Sequence, residues 1–304
     1  MKYKKYSLLK FFREINTEEK ARAMIWASRF GDKGFECPRC KSQDYYQLKS
    51  NPEIRECKAC RHHLRVRVGT MFEQSHMPLL TWVRAIFLMT QGKRGVSALE
   101  LQRQLELTRY ETAWGLLHKI RHALEQRDHK YQIDGIIELD GAVFGKKATG
   151  THKTVLVGVE TKRWWTDDGK IKQRAGFAKV FMGAETTENI HQFTKDFVKP
   201  EATIKTDGLS SYMDTPPSVD MFSEVMDKDP KKLDYWLPWV HKFISNAKTW
   251  VLGTHHGVMP QYLNLYLAEY TYRFNRRHDP KGLFDRALTA CASAMPVTLP
   301  RLTG

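Results

Sequence analysis

Two sets of residues in this chain have the types and spacing for chemistry: four cysteines in two pairs, and two aspartates that each close an apolar stretch. The cysteines read Cys37-Pro-Arg-Cys40 and Cys57-Lys-Ala-Cys60, with sixteen residues between the pairs. Each CxxC makes a tight knuckle that points two sulfurs at one ion, and the intervening residues suit a hairpin that brings the knuckles together. This predicts a structural zinc ion held by Cys37, Cys40, Cys57 and Cys60. A pair of redox or disulfide motifs is the competing reading, and it fits a reducing compartment poorly. Such a zinc site contributes on the order of 10 kcal/mol to folding, which a ribbon over residues 35–72 needs. His62 and His63 are rival ligands, but four thiolates already fill a tetrahedron. Cys291, far along the chain, reads as a plain buried thiol.

The first aspartate lies in residues 136–145, IIELDGAVFG. Ile136, Ile137, Leu139, Val143 and Phe144 are strand formers, and alternation puts Glu138 and Asp140 on one face with Ile137 and Leu139 on the other. Gly141 and Gly145 mark backbone that turns or is closely approached. A carboxylate at the end of an apolar strand is costly unless a positive group sits beside it; a solvent-facing Asp before a turn is the plain alternative. Further strands are predicted at 153–162 and 175–183, joined by a polar hairpin loop, then a helix at 186–198 capped by Thr187. A fourth strand at 202–208 ends in Asp207 and Gly208 and is most easily placed parallel to the first. Asp140 and Asp207 then meet at one edge of the sheet, where α/β proteins bind ligands. Two such aspartates with a third ligand from a later helix suit Mg²⁺ or Mn²⁺. A pair of these ions can activate a water or a 3′-hydroxyl against a phosphodiester. No GxxxxGK[ST] loop and no serine elbow occurs, which argues against an NTPase or a serine hydrolase.

The elements that must position these residues divide the 304-residue chain into several modules, an α+β and α/β multidomain protein. Residues 1–34 read as amphipathic helices. In the ribbon, Tyr45, Tyr46 and Leu48 suggest one strand; Leu64, Val66 and Val68 suggest another, with Arg65 and Arg67 sharing the opposite face for solvent or phosphate. Residues 73–130 read as helical: an apolar helix broken at Gly92 and Gly95, a short helix capped by Ser97 with Glu100, and a helix over 109–124. The last two form a helix-turn-helix-like pair, the second carrying Arg109, Tyr110, Thr112, His118, Lys119 and Arg121. Residues 131–304 form the domain that holds the aspartates, with a loop at 209–235 and helices at 243–251 and 261–277. On the last, Glu269, Arg273 and Arg276 share a face, either as a salt-bridged surface or as the lining of a nucleic-acid channel. The net charge of +15 suits a polyanionic partner. No apolar run approaches the ~20 residues of a membrane-spanning helix. Lys10, Arg13 and Glu14 interrupt any export-signal core, so an intracellular protein is expected.

The segments CPRC and CKAC, ELDGAVFGKK, KTDGLSSYM, WVHKFISNAKTWVLGTHHGV and EYTYRFNRR, taken in order, resemble the transposases of the IS1595 family of bacterial insertion sequences, whose catalytic part is called ISXO2-like. The resemblance covers nearly the whole chain. It implies an RNase H-like (DDE-type) domain with a mixed sheet that cuts and joins DNA at the element's terminal inverted repeats. Asp140 and Asp207 match the first two acidic positions. The third, Glu in most related enzymes, falls on Asn246, with Lys248 as the accompanying basic residue. Glu269, Arg273 and Arg276 match the downstream Glu-Arg-Arg pattern. His241 is the rival for the third position: it lies seven residues before Lys248, an offset that shares a helix face, and Pro238 can start that helix. The resemblance further implies structural Zn²⁺, catalytic Mg²⁺ or Mn²⁺, a homo-oligomer on DNA, and a cytoplasmic, nucleoid-associated location. Lys248, Lys146, Lys147, Arg109, Lys119, Arg273 and Arg276 are candidate DNA contacts, and Glu138 a candidate support for Asp140. A zinc-ribbon DNA-binding regulator with a decayed nuclease domain is the alternative.

Overall fold

The computed structural model describes residues 7–31, 34–146, 151–212, 214, 216, 218–224, 235–298 and 301–302. The chain divides into two compact units, residues 1–127 with 276–304, and residues 128–275.

The first unit begins with α1 (Leu8–Glu14) and α2 (Glu18–Phe30), capped by Ser7 and Thr17, whose hydroxyls accept from backbone N–H groups in the first turn. The ribbon follows as a three-stranded antiparallel sheet, β1 (Tyr45–Gln47), β2 (Ile54–Cys57) and β3 (His63–Arg65), in that order. Arg55 ties it to α2: its guanidinium lies 4.2 Å from the Trp26 ring centroid and 4.3 Å from that of Tyr45. Three helices come next, α3 (Leu79–Gln91), α4 (Ala98–Gln104) and α5 (Tyr110–Asp128). The start of α3 is capped from a distance, with Glu18 accepting from the N–H groups of Leu79 and Leu80 at 2.6 and 2.9 Å. Ser97 caps α4 as expected, accepting from the Glu100 N–H. Phe11 stacks on Phe87 at 3.6 Å, and Phe284 packs edge-on to both.

Phe284 belongs to a helix at Leu283–Ser293 that packs on α2 and α3. The sequence assigns residues up to 304 to the catalytic domain; from Arg276 onward they belong instead to the N-terminal unit. The physical reason is the apolar stripe of Leu283, Phe284, Ala287, Leu288 and Cys291, all buried, on a helix packed against α2 and α3.

The second unit is a five-stranded mixed sheet in the order β6-β5-β4-β7-β8. Its strands are β4 (Ile136–Lys146), β5 (Thr151–Trp165), β6 (Ile171–Met182), β7 (Thr203–Thr206) and β8 (Asp220–Ser223). The first three are antiparallel neighbours, and β7 and β8 run parallel to β4. β5 and β6 extend through most of the segment expected to be a loop, leaving a turn around Asp168 and Gly169. β8 lies in the stretch expected to be structureless, where Met221 gives one short apolar contact to the core.

Helix α6 (Thr187–Phe197) covers one face. Its cap is Thr186, which accepts from the Asn189 N–H, rather than the expected Thr187, which is the first helical residue. On this face Ile137, Leu139, Leu156 and Ile204 meet Ile190, Phe193 and Phe197. The other face carries α7 (Pro238–His255) and α8 (Leu263–Asn275), with Ala142, Phe144, Val155 and Val157 against Val240, Phe243, Ala247 and Trp250. We number the helix at Leu283–Ser293 α9. Period-two alternation on β4 therefore sends 137 and 139 to α6, and 138, 140, 142 and 144 to α7. This fold is the mixed α/β, RNase H-like architecture expected of the chain.

Candidate active site and metal centre

The ribbon closes on its four cysteines. After each pair the chain turns through a left-handed residue, Lys41 at φ 63° and Arg61 at φ 60°, giving two equivalent knuckles. Lys41 N–H donates to the Cys37 carbonyl and Arg61 N–H to that of Cys57, both within one turn. Cys37 and Cys60 sulfurs lie 3.6 Å apart, and those of Cys40 and Cys57 3.5 Å. All four sulfurs fall within 4.8 Å of one another. Zn–S bonds of about 2.3 Å in a tetrahedron separate the sulfurs by about 3.8 Å, so this set fits a structural zinc. Backbone N–H groups, led by that of Cys60, pull the Cys57 thiol down to about 6, toward the thiolate a metal needs.

Around this site the expected paired arginine face does not form. Arg65 is exposed, but Arg67 turns inward. It holds Glu53 through Nε and Nη2, at 2.8–3.0 Å, and donates through Nη1 to the Ser75 and Met77 carbonyls. It braces the exit from the ribbon. In α5, His118 and Arg121 are buried rather than on a nucleic-acid-facing surface, Lys119 is half-buried, and Arg109 just ahead of the helix is exposed.

In the second unit, β4 and β7 pair in parallel with Ile136 opposite Thr203 and Glu138 opposite Lys205. Continuing that register by two residues sets Asp140 level with Asp207, so both carboxylates stand at the end of β7 on neighbouring strands. Burial, reinforced by the charge of Asp140, pushes the Asp207 carboxyl above the usual range. Helix α7 brings the third group: His241 Nε2 is 3.3 Å from Asp140 Oδ2.

The placement of α7 has an identifiable cause. Glu138, fully buried on the Asp140 face, accepts from Trp239 N–H at 2.6 Å and Val240 N–H at 3.0 Å, and from the Thr161 hydroxyl at 2.9 Å. Burial pushes its carboxyl upward, and the donors from Val240, Thr161 and Trp239 pull it back. Glu138 thus caps α7 from the strand that carries Asp140, and His241 follows in the next position. Lys205 adds a second tie, donating to the Trp236 carbonyl at 2.7 Å while Trp236 Nε1 donates to the Thr206 carbonyl at 2.8 Å.

The two rivals for the third position separate on this helix. Asn246, five residues after His241, lies about 140° around the helix from it and is exposed. Lys248, seven residues on, returns to within about 20° of the His241 direction, and its Nζ sits 5.8 Å from the Phe144 ring on β4. The other candidate DNA contacts divide. Arg273 is buried and its guanidinium lies 3.6 Å from the buried Glu269 carboxylate, an interior ion pair instead of a channel lining. Arg276 is half-buried and belongs to the first unit. Lys146 ends β4, and Lys147 lies outside the described residues.

One residue that sequence reasoning did not single out joins the site. Glu185, between β6 and α6, accepts from the Tyr212 hydroxyl at 2.7 Å. Burial, then the charges of Asp140 and Asp207, raise its carboxyl, against the pull of Tyr212. Gly141 was the available signal: its backbone is closely approached, and Glu185 is what approaches it. Among the described residues, no lysine or arginine forms an ion pair with Asp140, Asp207 or Glu185. Carboxylates gathered at one end of the sheet with no lysine or arginine partner are a donor set that suits a divalent cation such as Mg²⁺ or Mn²⁺.

Residues 132–275, the whole of the sheet unit but its first few residues, match the family model of the ISXO2-like transposase domain. Residues 16–63 match that of the transposase zinc-ribbon domain. The fold and the four-cysteine cluster thus define a zinc-ribbon protein with a transposase-type nuclease domain. Together the two matches cover most of the chain, and it belongs to the IS1595-type transposases. The comparison with curated proteins found no match. No described helix is long and apolar enough to cross a membrane.

Proposed function

We propose that the chain is an active DNA transposase that binds the terminal inverted repeats of its element and cuts and rejoins DNA there. The observation that carries this reading is the level placement of Asp140 and Asp207 on parallel neighbours, with His241 3.3 Å from Asp140. Asp140 and Asp207 hold the catalytic cations, Mg²⁺ or Mn²⁺, which when bound activate a water or 3′-hydroxyl and stabilise the leaving oxygen. His241 completes the set in place of Asn246, offering a neutral imidazole nitrogen where most related enzymes have Glu. Lys248, on the same helix face, neutralises a DNA phosphate beside the reacting one. Zinc holds the ribbon in shape, and Arg109 and Lys119 with the ribbon grip the repeats, mostly through phosphates. Pairing two element ends calls for a homo-oligomer on DNA, in the bacterial cytoplasm at the nucleoid.

The test is incubation of purified protein with Mg²⁺ or Mn²⁺ and a labelled terminal-repeat duplex. Asp140→Asn, Asp207→Asn and His241→Ala should each remove nicking and joining, while Asn246→Ala keeps them. Tight repeat binding with persistent absence of nicking would leave a DNA-binding regulator instead. Cutting that ignores the repeat sequence would point to a general nuclease. If Asn246→Ala lost activity and His241→Ala kept it, the third position would revert to Asn246.

A further inference from the structure

Glu185 falls in none of the motifs that mark Asp140 and Asp207, yet three features of the chain hold it beside them. The first is Tyr212, itself only 1% exposed, whose hydroxyl donates to Glu185 Oε1 at 2.7 Å. The second is the Gly141 backbone, which also hydrogen-bonds the carboxylate. Pairing between β4 and β7 stops at Glu138 and Lys205, so the β4 edge at Gly141 is left open to such a partner. The third is the missing side chain of Gly141. A Cβ at that position would lie 2.0 Å from Glu185 Cδ and 2.1 Å from Oε2. Any other residue would evict the carboxylate.

Position on the strand gives these contacts a direction. Gly141 faces α6, with Ile137 and Leu139, whereas Asp140 faces α7. Glu185 therefore approaches from the face opposite His241, at the edge where β7 ends with Asp207. Crowding a third carboxylate against two others costs free energy through desolvation and like-charge repulsion. No lysine or arginine among the described residues pairs with it to offset that cost. A multivalent cation would offset it.

We propose that Glu185 is a fourth member of the divalent-cation site, presenting a carboxylate oxygen from the α6 face of β4 with Tyr212 and Gly141 as its clamp. The proposal rests on the nuclease reading of Asp140 and Asp207.

The test is Mn²⁺ binding to the zinc-loaded full chain, followed by the electron paramagnetic resonance signal of free Mn²⁺, with no DNA present. Glu185→Gln keeps the size and the hydrogen bonds to Tyr212 and Gly141 but removes the charge. It should weaken Mn²⁺ binding about 10–100-fold, in the range seen when the groups around a metal are altered. Glu185→Asp, which keeps the charge on a shorter stem, should fall between it and the parent, and Tyr212→Phe should weaken binding less than Glu185→Gln. Zinc content and circular dichroism of each variant report that the fold is intact. If Asp140→Asn loses Mn²⁺ while Glu185→Gln binds it as tightly as the parent or more tightly, Glu185 is only a like-charged neighbour; this inference falls and the nuclease reading stands. If Asp140→Asn binds Mn²⁺ like the parent, both fall.

Discussion

His118 offers a sharp test of which face of α5 is interior. The ring is fully buried, stacks on Trp114 with centroids 3.6 Å apart, and places Nδ1 3.0 Å from the Trp114 carbonyl. Burial, and then the charge of Arg121, push its pKa down to about 3. In the unfolded chain an ordinary histidine titrates near 6.5. Below that pH the unfolded state takes up a proton that the folded state refuses, so stability is lost as pH falls through 6.5. Between pH 7 and pH 5 the linked loss is about 2 kcal/mol, and it keeps growing toward pH 3. For a unit of this size that is a fall of about 4–8 °C in Tm. The assay is calorimetric unfolding of the parent and of His118→Gln at pH 7 and pH 5. Gln can still donate to the Trp114 carbonyl and cannot become charged. The N-terminal transition of the parent should fall by about 4–8 °C more than that of the variant. Acid loss of zinc affects both proteins, so the difference isolates His118. Equal falls would refute the reasoning, as would a His118 ring resonance that titrates near 6.5. A histidine turned outward to bind phosphate would give that second result.

Four further outcomes follow from the packing. Stripping zinc with a strong chelator should melt residues 35–72, seen as loss of amide protection there, and adding Zn²⁺ back should restore it. Gly158→Ala, whose Cβ would meet the buried Phe193 ring at 2.6 Å, should cost about 1–3 kcal/mol by overpacking, read by chemical denaturation, and leave Mn²⁺ binding alone. Arg273→Ala should destabilise the protein by removing a charged partner of the buried Glu269 carboxylate, while the salt dependence of DNA binding stays unchanged; a shallower salt slope with little loss of stability would return Arg273 to the DNA surface. Glu138→Ala should leave the Trp239 and Val240 N–H groups without their acceptor and cost about 2–4 kcal/mol, with nicking lost although Asp140, Asp207 and His241 are all present. Full nicking at parental stability would show that the cap does not set α7.

Where the sequence could be read, local pattern was enough. Two CxxC pairs state their own ligand set, and the alternation of β4 states which side Asp140 takes. The apolar run around Ile204 and the polar turn after Asp207 likewise place a strand end. What the sequence did not disclose depends on partners distant in the chain. Arg67 and Arg273 look like surface cations until Glu53 and Glu269 appear beside them. Helix α9 carries an apolar stripe that fits either unit equally well on paper, and only its contacts with α2 and α3 decide. Glu185 looks like an unremarkable acidic residue ahead of a helix cap, because nothing local shows that a tyrosine twenty-seven residues later receives it. Where α7 begins sets which of His241 and Asn246 faces Asp140, and a distant glutamate fixes that start.

That last dependence explains how one strand can organise the site. On its α7 face β4 carries, in sequence, a glutamate that caps the helix and an aspartate that meets the helix's histidine. The two carboxylates are two residues apart, a rise of about 7 Å, and the helix positions they address, Trp239 and His241, are also two apart. A slip of the strand by one residue would send both carboxylates to the α6 face. On that other face Gly141 leaves room for Glu185. A single stretch from Glu138 to Gly141 thus sets the helix, presents the Asp140 carboxylate to it and admits a further carboxylate. The apolar neighbours Ile137 and Leu139 lock its register against α6. The conspicuous aspartate is one part of that arrangement, and the residues on either side of it determine what it can reach.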